Sequence, residues 1–172
     1  MKILPLSERG RFLLKFFAAV VVFYVIIAVR PVNDNVIVPF TAQLSGISAA
    51  VLRAAGEDTE VTGTIIRTSG FAVDVKNGCN GVEAAILLVA AILAFPAGPL
   101  AKAMGILGGF ILLEVINILR IVSLAWLGAH HPQVFQMFHV AVWQTVIIIV
   151  SVGIFLLWSW KFGESRRLAS SA

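Results

Sequence analysis

Three side chains in this sequence are of reactive types and stand where packing alone does not account for them: Cys79, Arg120 and His139. Cys79 is the only cysteine, so neither an intramolecular disulfide nor a dithiol redox pair is open to it. A lone thiol is more often a small buried hydrophobe than a nucleophile. Its setting argues otherwise, because Asn77-Gly78-Cys79-Asn80-Gly81 is too polar and too rich in glycine to be lipid-facing packing. The segment runs straight into an apolar stretch that reads as a helix, whose N-terminal dipole would favour a thiolate. Glu83, one helical turn further on, opposes that effect unless a cation neutralises it.

Arg120 lies within a long apolar run, roughly 12 Å below its outer end at the rise of an α-helix. An arginine at that depth is costly, so it should face a polar cavity or a partner rather than lipid. Glu114, Asn117 and Arg120 recur at helical spacing and form one polar stripe. An ion pair of Arg120 with Glu83 or Glu114 would be a purely structural use of that stripe. His139 opens the last apolar run, whereas His130 and His131 in the preceding link read as solvated interface residues. With its usual pKa near 6.5, an imidazole at His139 can accept and return a proton near neutral pH. Together the three residues supply what thiol acyl transfer requires: a nucleophile, a base and a donor for the oxyanion.

The elements that must position them follow from composition. The chain has 172 residues, 59% hydrophobic and 13% charged, more apolar surface than one soluble core of this size buries. A membrane helix needs about 20 mostly apolar residues. Four stretches are expected to cross, at about 12–29, 82–97, 104–127 and 140–160. The second is short and closed by Pro96 and Pro99. The run at 12–29 is too long for a signal core and lacks a small-residue cleavage site, so it reads as a retained anchor.

Basic residues lie at both ends of the chain, not in a stripe that would fit nucleic acid. Lys2, Arg9 and Arg11 precede the first run, Lys102 lies between the second and third, and Lys161, Arg166 and Arg167 follow the fourth. By the positive-inside tendency those flanks and both termini are cytoplasmic, and 31–81 and the link 128–138 lie outside. Within the outer segment, Val36 to Ala55 reads as a helix that lies on the membrane or packs on the bundle, ended by Gly56. Val61–Arg67 and Phe71–Lys76 read as the two strands of a hairpin. The expected fold is therefore an all-α polytopic membrane protein, one membrane domain over 1–172, with a small outer helix and hairpin.

The stretch Cys79 to Ala84, Ala94-Phe95-Pro96, Asn117-Ile118-Leu119-Arg120-Ile121 and His139 resemble the exosortase/archaeosortase family of membrane-embedded cysteine transpeptidases, nearest its exosortase H members. The similarity runs from Gly63 to Trp160, and as most members carry more spans this chain would be a short form. The resemblance implies a bacterial inner-membrane enzyme with its active site on the periplasmic side. Cys79, Arg120 and His139 would be catalytic, supported by Asn80, Glu83, Glu114 and Asn117. The implied substrates are exported proteins with a C-terminal motif, a transmembrane helix and a basic tail, of the IPTL type. No metal or cofactor is expected: His-Glu-x-x-His, Gly-x-Ser-x-Gly and zinc-type Cys/His spacings are missing from the sequence. The rival reading is a non-catalytic membrane subunit or small transporter, with Arg120, Glu114 and Asn117 as polar glue between helices.

Overall fold

Ser7 accepts a hydrogen bond from Gly10 N–H at 3.2 Å and caps the first helix, α1, over Glu8–Ala28. The computed structural model describes residues 7–170; Lys2 lies outside the described residues, as do the side chains of Arg166 and Arg167. No α1 side chain is buried. Its apolar residues face lipid or neighbouring helices, chiefly α3 (Val82–Ala94), against which the helix packs.

Extended backbone at Val29 alone separates α1 from α2, Arg30–Ala54, which Pro31 opens in its first turn. The helix expected from Val36 thus begins six residues earlier than its composition suggests. It contains a wide turn in which Val38 N–H reaches back five residues to Asn33 O. At 25 residues it is long and apolar enough to cross a bilayer. One face, carrying Leu44, Ala49 and Leu52, packs with Ile66 and Val75 of the outer segment and Ile121 and Ala125 of α4 (Pro99–His130).

The run Val61–Arg67, expected as one strand, is two. β1 (Glu60–Thr62) and β2 (Ile65–Thr68) are joined by a turn at Gly63, whose φ of +60° suits glycine. β3 (Phe71–Asp74) completes an antiparallel sheet of order β1-β2-β3, with Ile66 opposite Val61 on one side and Val73 on the other. A three-stranded sheet with one buried face is self-supporting where an isolated hairpin is marginal. Here Ile66 and Val75 supply that face.

α3 has only 13 residues, about 20 Å at helical rise, and stops at Ala94 before Pro96. That is shorter than the roughly 20 residues of a usual membrane helix. Among the described residues α1, α2, α4 and α5 (Pro132–Phe162) are long and apolar enough to cross a bilayer, and α3 is a shorter apolar helix. Lys102 sits inside the first turns of α4, where its Nζ donates to Leu93 O at 2.6 Å and caps the end of α3. The expected link 128–138 is almost wholly helical. α4 runs on to His130, and His131 alone breaks the chain before Pro132 starts α5.

The described residues therefore have two distinct ends. At one, the sheet stands against α2 and the C-terminal part of α4. At the other, Leu88, Ile92 and Trp158 pack with Phe95, Phe155 and Phe162, and Phe12 of α1 meets Phe155 at a ring separation of 6.2 Å.

Candidate active site

Gly78 and Gly81 both hold left-handed backbone, with φ of +88° and +81°, and they bend the chain around Cys79 between the sheet and α3. Side chains fix the loop. Buried Asn80 donates from Nδ2 to Thr41 Oγ1 at 2.9 Å and to Asn77 Oδ1 at 3.2 Å, and its Oδ1 accepts from Val82 N–H at 3.2 Å. Asn80 thereby ties the loop to α2 and satisfies a free amide at the start of α3. Asn77 donates to Asn33 Oδ1 at 3.2 Å, and Cys79 N–H donates to Lys76 O at 2.8 Å. Glu83 accepts from Gly78 N–H at 2.7 Å. The carboxylate that opposes a thiolate thus also pins the loop that carries it.

From this loop the half-buried Cys79 Sγ lies 3.0 Å from His139 Nε2. Sixty residues separate the two in sequence. His139 is placed by a second wide turn, Phe138–Val142, where Trp143 N–H reaches back to Phe138 O. Such turns inside α-helices often mark functional sites, because one added residue re-aims the side chains around it.

Arg120, only 2% exposed, comes from the third direction. Its Nη2 is 3.7 Å from Cys79 Sγ, and Nη1 donates to Gly78 O at 3.4 Å. Its Nε has no partner among the described residues. The ion pair with Glu83 or Glu114 that would have made Arg120 a structural residue does not form; the salt bridges between described residues join Lys76 to Asp74 and His130 to Glu57. A buried guanidinium aimed at a sulfur and a loop carbonyl, with a donor to spare, is poor helix glue and a good oxyanion donor.

The rest of the stripe is buried behind Arg120. Asn117 Nδ2 donates weakly to Glu114 Oε2 at 3.4 Å, and Glu114 Oε1 and Asn117 Oδ1 have no partner among the described residues. Glu114 presses on the loop itself, since a β-carbon at Gly81 would sit 2.5 Å from Glu114 Oε1. These residues stand behind the cluster rather than in it.

The sulfur does not rest as a stabilised thiolate. Burial pushes the Cys79 thiol up, Arg120 pulls it down, and Glu83 pushes it up again, with the net displacement upward. The expected benefit of the α3 dipole does not prevail, because Cys79 stands three residues before Val82 and is packed among apolar groups. The imidazole of His139 is the titratable group in contact with the sulfur. His130 and His131 take no part. His130 pairs with Glu57 at 2.8 Å, and both rings lie on Trp126.

Thr41 and Asn77 were not legible as site residues. Thr41 looks like a small polar residue on an amphipathic helix, although its spacing with Ser45 and Ser48, all buried, is the signal of a polar face turned inward.

No curated protein and no solved structure matches the chain. A family model does: the transmembrane exosortases, over residues 4–159. That range takes in the Cys79 loop, Arg120 and His139, and the helices around them are long and apolar as a membrane protein requires. This multi-pass membrane chain therefore belongs to the transmembrane exosortase family.

Proposed function

We propose that the protein is a cysteine peptidase or transpeptidase that cleaves C-terminal sorting signals of exported proteins at the outer face of the inner membrane. The observation that carries the reading is the approach of Cys79 Sγ to His139 Nε2 at 3.0 Å, with Arg120 Nη2 at 3.7 Å from the same sulfur. Nucleophile, base and cation come from three separate elements, and nothing in packing alone requires them to meet.

His139 takes the thiol proton as Sγ attacks the scissile carbonyl carbon. The carbonyl oxygen becomes an oxyanion, and the Arg120 guanidinium, held near the sulfur, stabilises it. Collapse breaks the C–N bond, and the imidazolium returns its proton to the departing amine. The acyl group is left as a thioester on Cys79. Water or an amine then attacks the thioester carbonyl as His139 takes its proton; collapse breaks the C–S bond, and the imidazolium returns the proton to Cys79 Sγ. This base-assisted route suits a sulfur whose resting form is the thiol.

The substrates are proteins anchored by their own C-terminal helix and basic tail, of the IPTL type that the family resemblance suggests. With Lys and Arg at both ends of the chain read as cytoplasmic, the sheet end faces the periplasm, where such a motif would emerge from the bilayer. The arrangement favours an enzyme over a scaffold because Arg120 is not spent on a carboxylate.

The test is co-expression of the full chain with a tagged substrate of that design. Shortening of the substrate is expected, lost in Cys79→Ala with the enzyme still in the membrane. A substrate–Cys79 thioester should also be trapped when the acceptor step is slowed. Normal shortening by Cys79→Ala would overturn the reading.

A further inference from the structure

A catalytic imidazole is ordinarily aimed by a hydrogen bond from its second ring nitrogen to a carboxylate or carbonyl. His139 has no such bond among the described residues; its polar contact is the one to Cys79. What touches its face is an aromatic ring. Phe135, one turn earlier on α5, stacks on the imidazole at a ring separation of 5.6 Å and an interplanar angle of 18°. Phe71, at the start of β3, meets Phe135 edge-on at 5.1 Å and 62°. Phe71 is itself seated against the backbone of α4 at buried Gly128, where a β-carbon would overlap its ring.

We propose that Phe135 is a positioning residue that holds the His139 ring toward Cys79, and that Phe71 holds Phe135 in turn. This inference rests on the thiol–imidazole pairing of the proposed function. Three elements converge on one ring: α4 supplies the gap at Gly128, the sheet fills it with Phe71, and α5 carries Phe135 and His139. A stacked ring restricts rotation of the imidazole plane as a hydrogen-bonded carboxylate would, without adding a negative charge beside the thiol. The wide turn at 138–142 sets the direction in which His139 leaves the helix, and the stacked ring of Phe135 holds its plane. It also gives the sheet a role in the chemistry, since Phe71 links an extramembrane element to the base.

The single cysteine makes the test direct. Alkylation of Cys79 by iodoacetamide in the purified, detergent-solubilised full chain reads thiolate supply without any substrate. His139→Ala is expected to slow alkylation at neutral pH by about tenfold or more. Phe135→Met, which keeps apolar volume but removes the flat face, should slow it roughly three- to tenfold. Phe135→Tyr should restore the wild-type rate, and in substrate cleavage Phe135→Met should lower kcat with KM little changed. Wild-type alkylation by Phe135→Met, with His139→Ala slow, overturns the positioning role and leaves the proposed function standing. An unchanged rate in His139→Ala overturns both. Should Phe135→Met fail to accumulate, Phe71→Leu decides from outside α5: a rate lowered about threefold supports the chain of contacts, and a wild-type rate removes it.

Discussion

The sheet end and the opposite end of the bundle are built on different terms. At the opposite end, Trp158 is buried among Phe95, Phe155 and Phe162, and its one polar atom is satisfied by Ala101 O at 3.0 Å. That end is apolar packing with its hydrogen bond made. At the sheet end, Glu114 Oε1, Asn117 Oδ1, Arg120 Nε and Ser48 Oγ are buried with no hydrogen-bond partner among the described residues, and a thiol, an imidazole and a guanidinium crowd one point. Each such group costs free energy that packing elsewhere must offset. A protein keeps such an end for what it does and keeps the other for holding together.

A pair of substitutions, one at each end of the bundle, should have opposite effects. Cys79→Ala should abolish substrate shortening, by about a thousandfold or more, with thermal unfolding in detergent nearly unchanged. Trp158→Ala should do the reverse. It removes a buried ring and its hydrogen bond, at a cost of roughly 3 kcal/mol, while turnover per folded molecule stays within about twofold of wild type. If Trp158→Ala instead lowers turnover as far as it lowers stability, the two ends are coupled and the division fails.

Arg120→Lys comes next in size. The guanidinium bridges Cys79 Sγ and Gly78 O through two different nitrogens, which a single ammonium on a flexible stem does not reproduce. A loss of about a hundredfold in kcat is expected, with the protein still in the membrane. Retention of most activity would show that charge alone suffices.

Gly81→Ala probes the join between loop and stripe. Left-handed backbone at Gly81 disfavours any side chain, and the new methyl would meet the Glu114 carboxyl. The expected result is a stability loss of about 1–2 kcal/mol together with a roughly tenfold fall in kcat as the Cys79 loop shifts. An effect on stability with turnover untouched would place Glu114 and Gly81 in the scaffold alone.

Why some of this was legible in the residues and some not has a physical explanation. α1, α4 and α5 announce themselves because lipid demands an unbroken apolar run. Cys79, Arg120 and His139 announce themselves for the opposite reason, as polar groups where lipid or packing forbids them. α2 was legible in part: a helix that could pack on the bundle was expected from Val36, whereas its start at Arg30 and the inward turn of Thr41, Ser45 and Ser48 were not. The run Val61–Arg67 is β-prone throughout, so only Gly63 marked the turn that divides it. Phe135 was hidden because an aromatic residue near a span end reads as interface anchoring; that it lies on His139 and under Phe71 is a fact of tertiary contact.

Glu83 gives the smallest and most discriminating effect, because it belongs to both descriptions of the sheet end. Its carboxylate fastens the loop through Gly78 N–H and also raises the pKa of the Cys79 thiol. In Glu83→Gln the amide oxygen still accepts from Gly78 N–H, so the loop keeps its anchor, but the negative charge is gone. The sign follows directly. Removing a group that pushes the thiol pKa up lets it fall, so the alkylation of Cys79 by iodoacetamide should rise at a lower pH than in the wild type. Arg120→Gln removes the cation that pulls the pKa down and should move the same profile upward. Turnover of Glu83→Gln should change by about threefold or less, since Cys79, Arg120 and His139 are all intact. A profile that moves upward in Glu83→Gln would mean that its hydrogen bond to the loop, and not its charge, governs the sulfur.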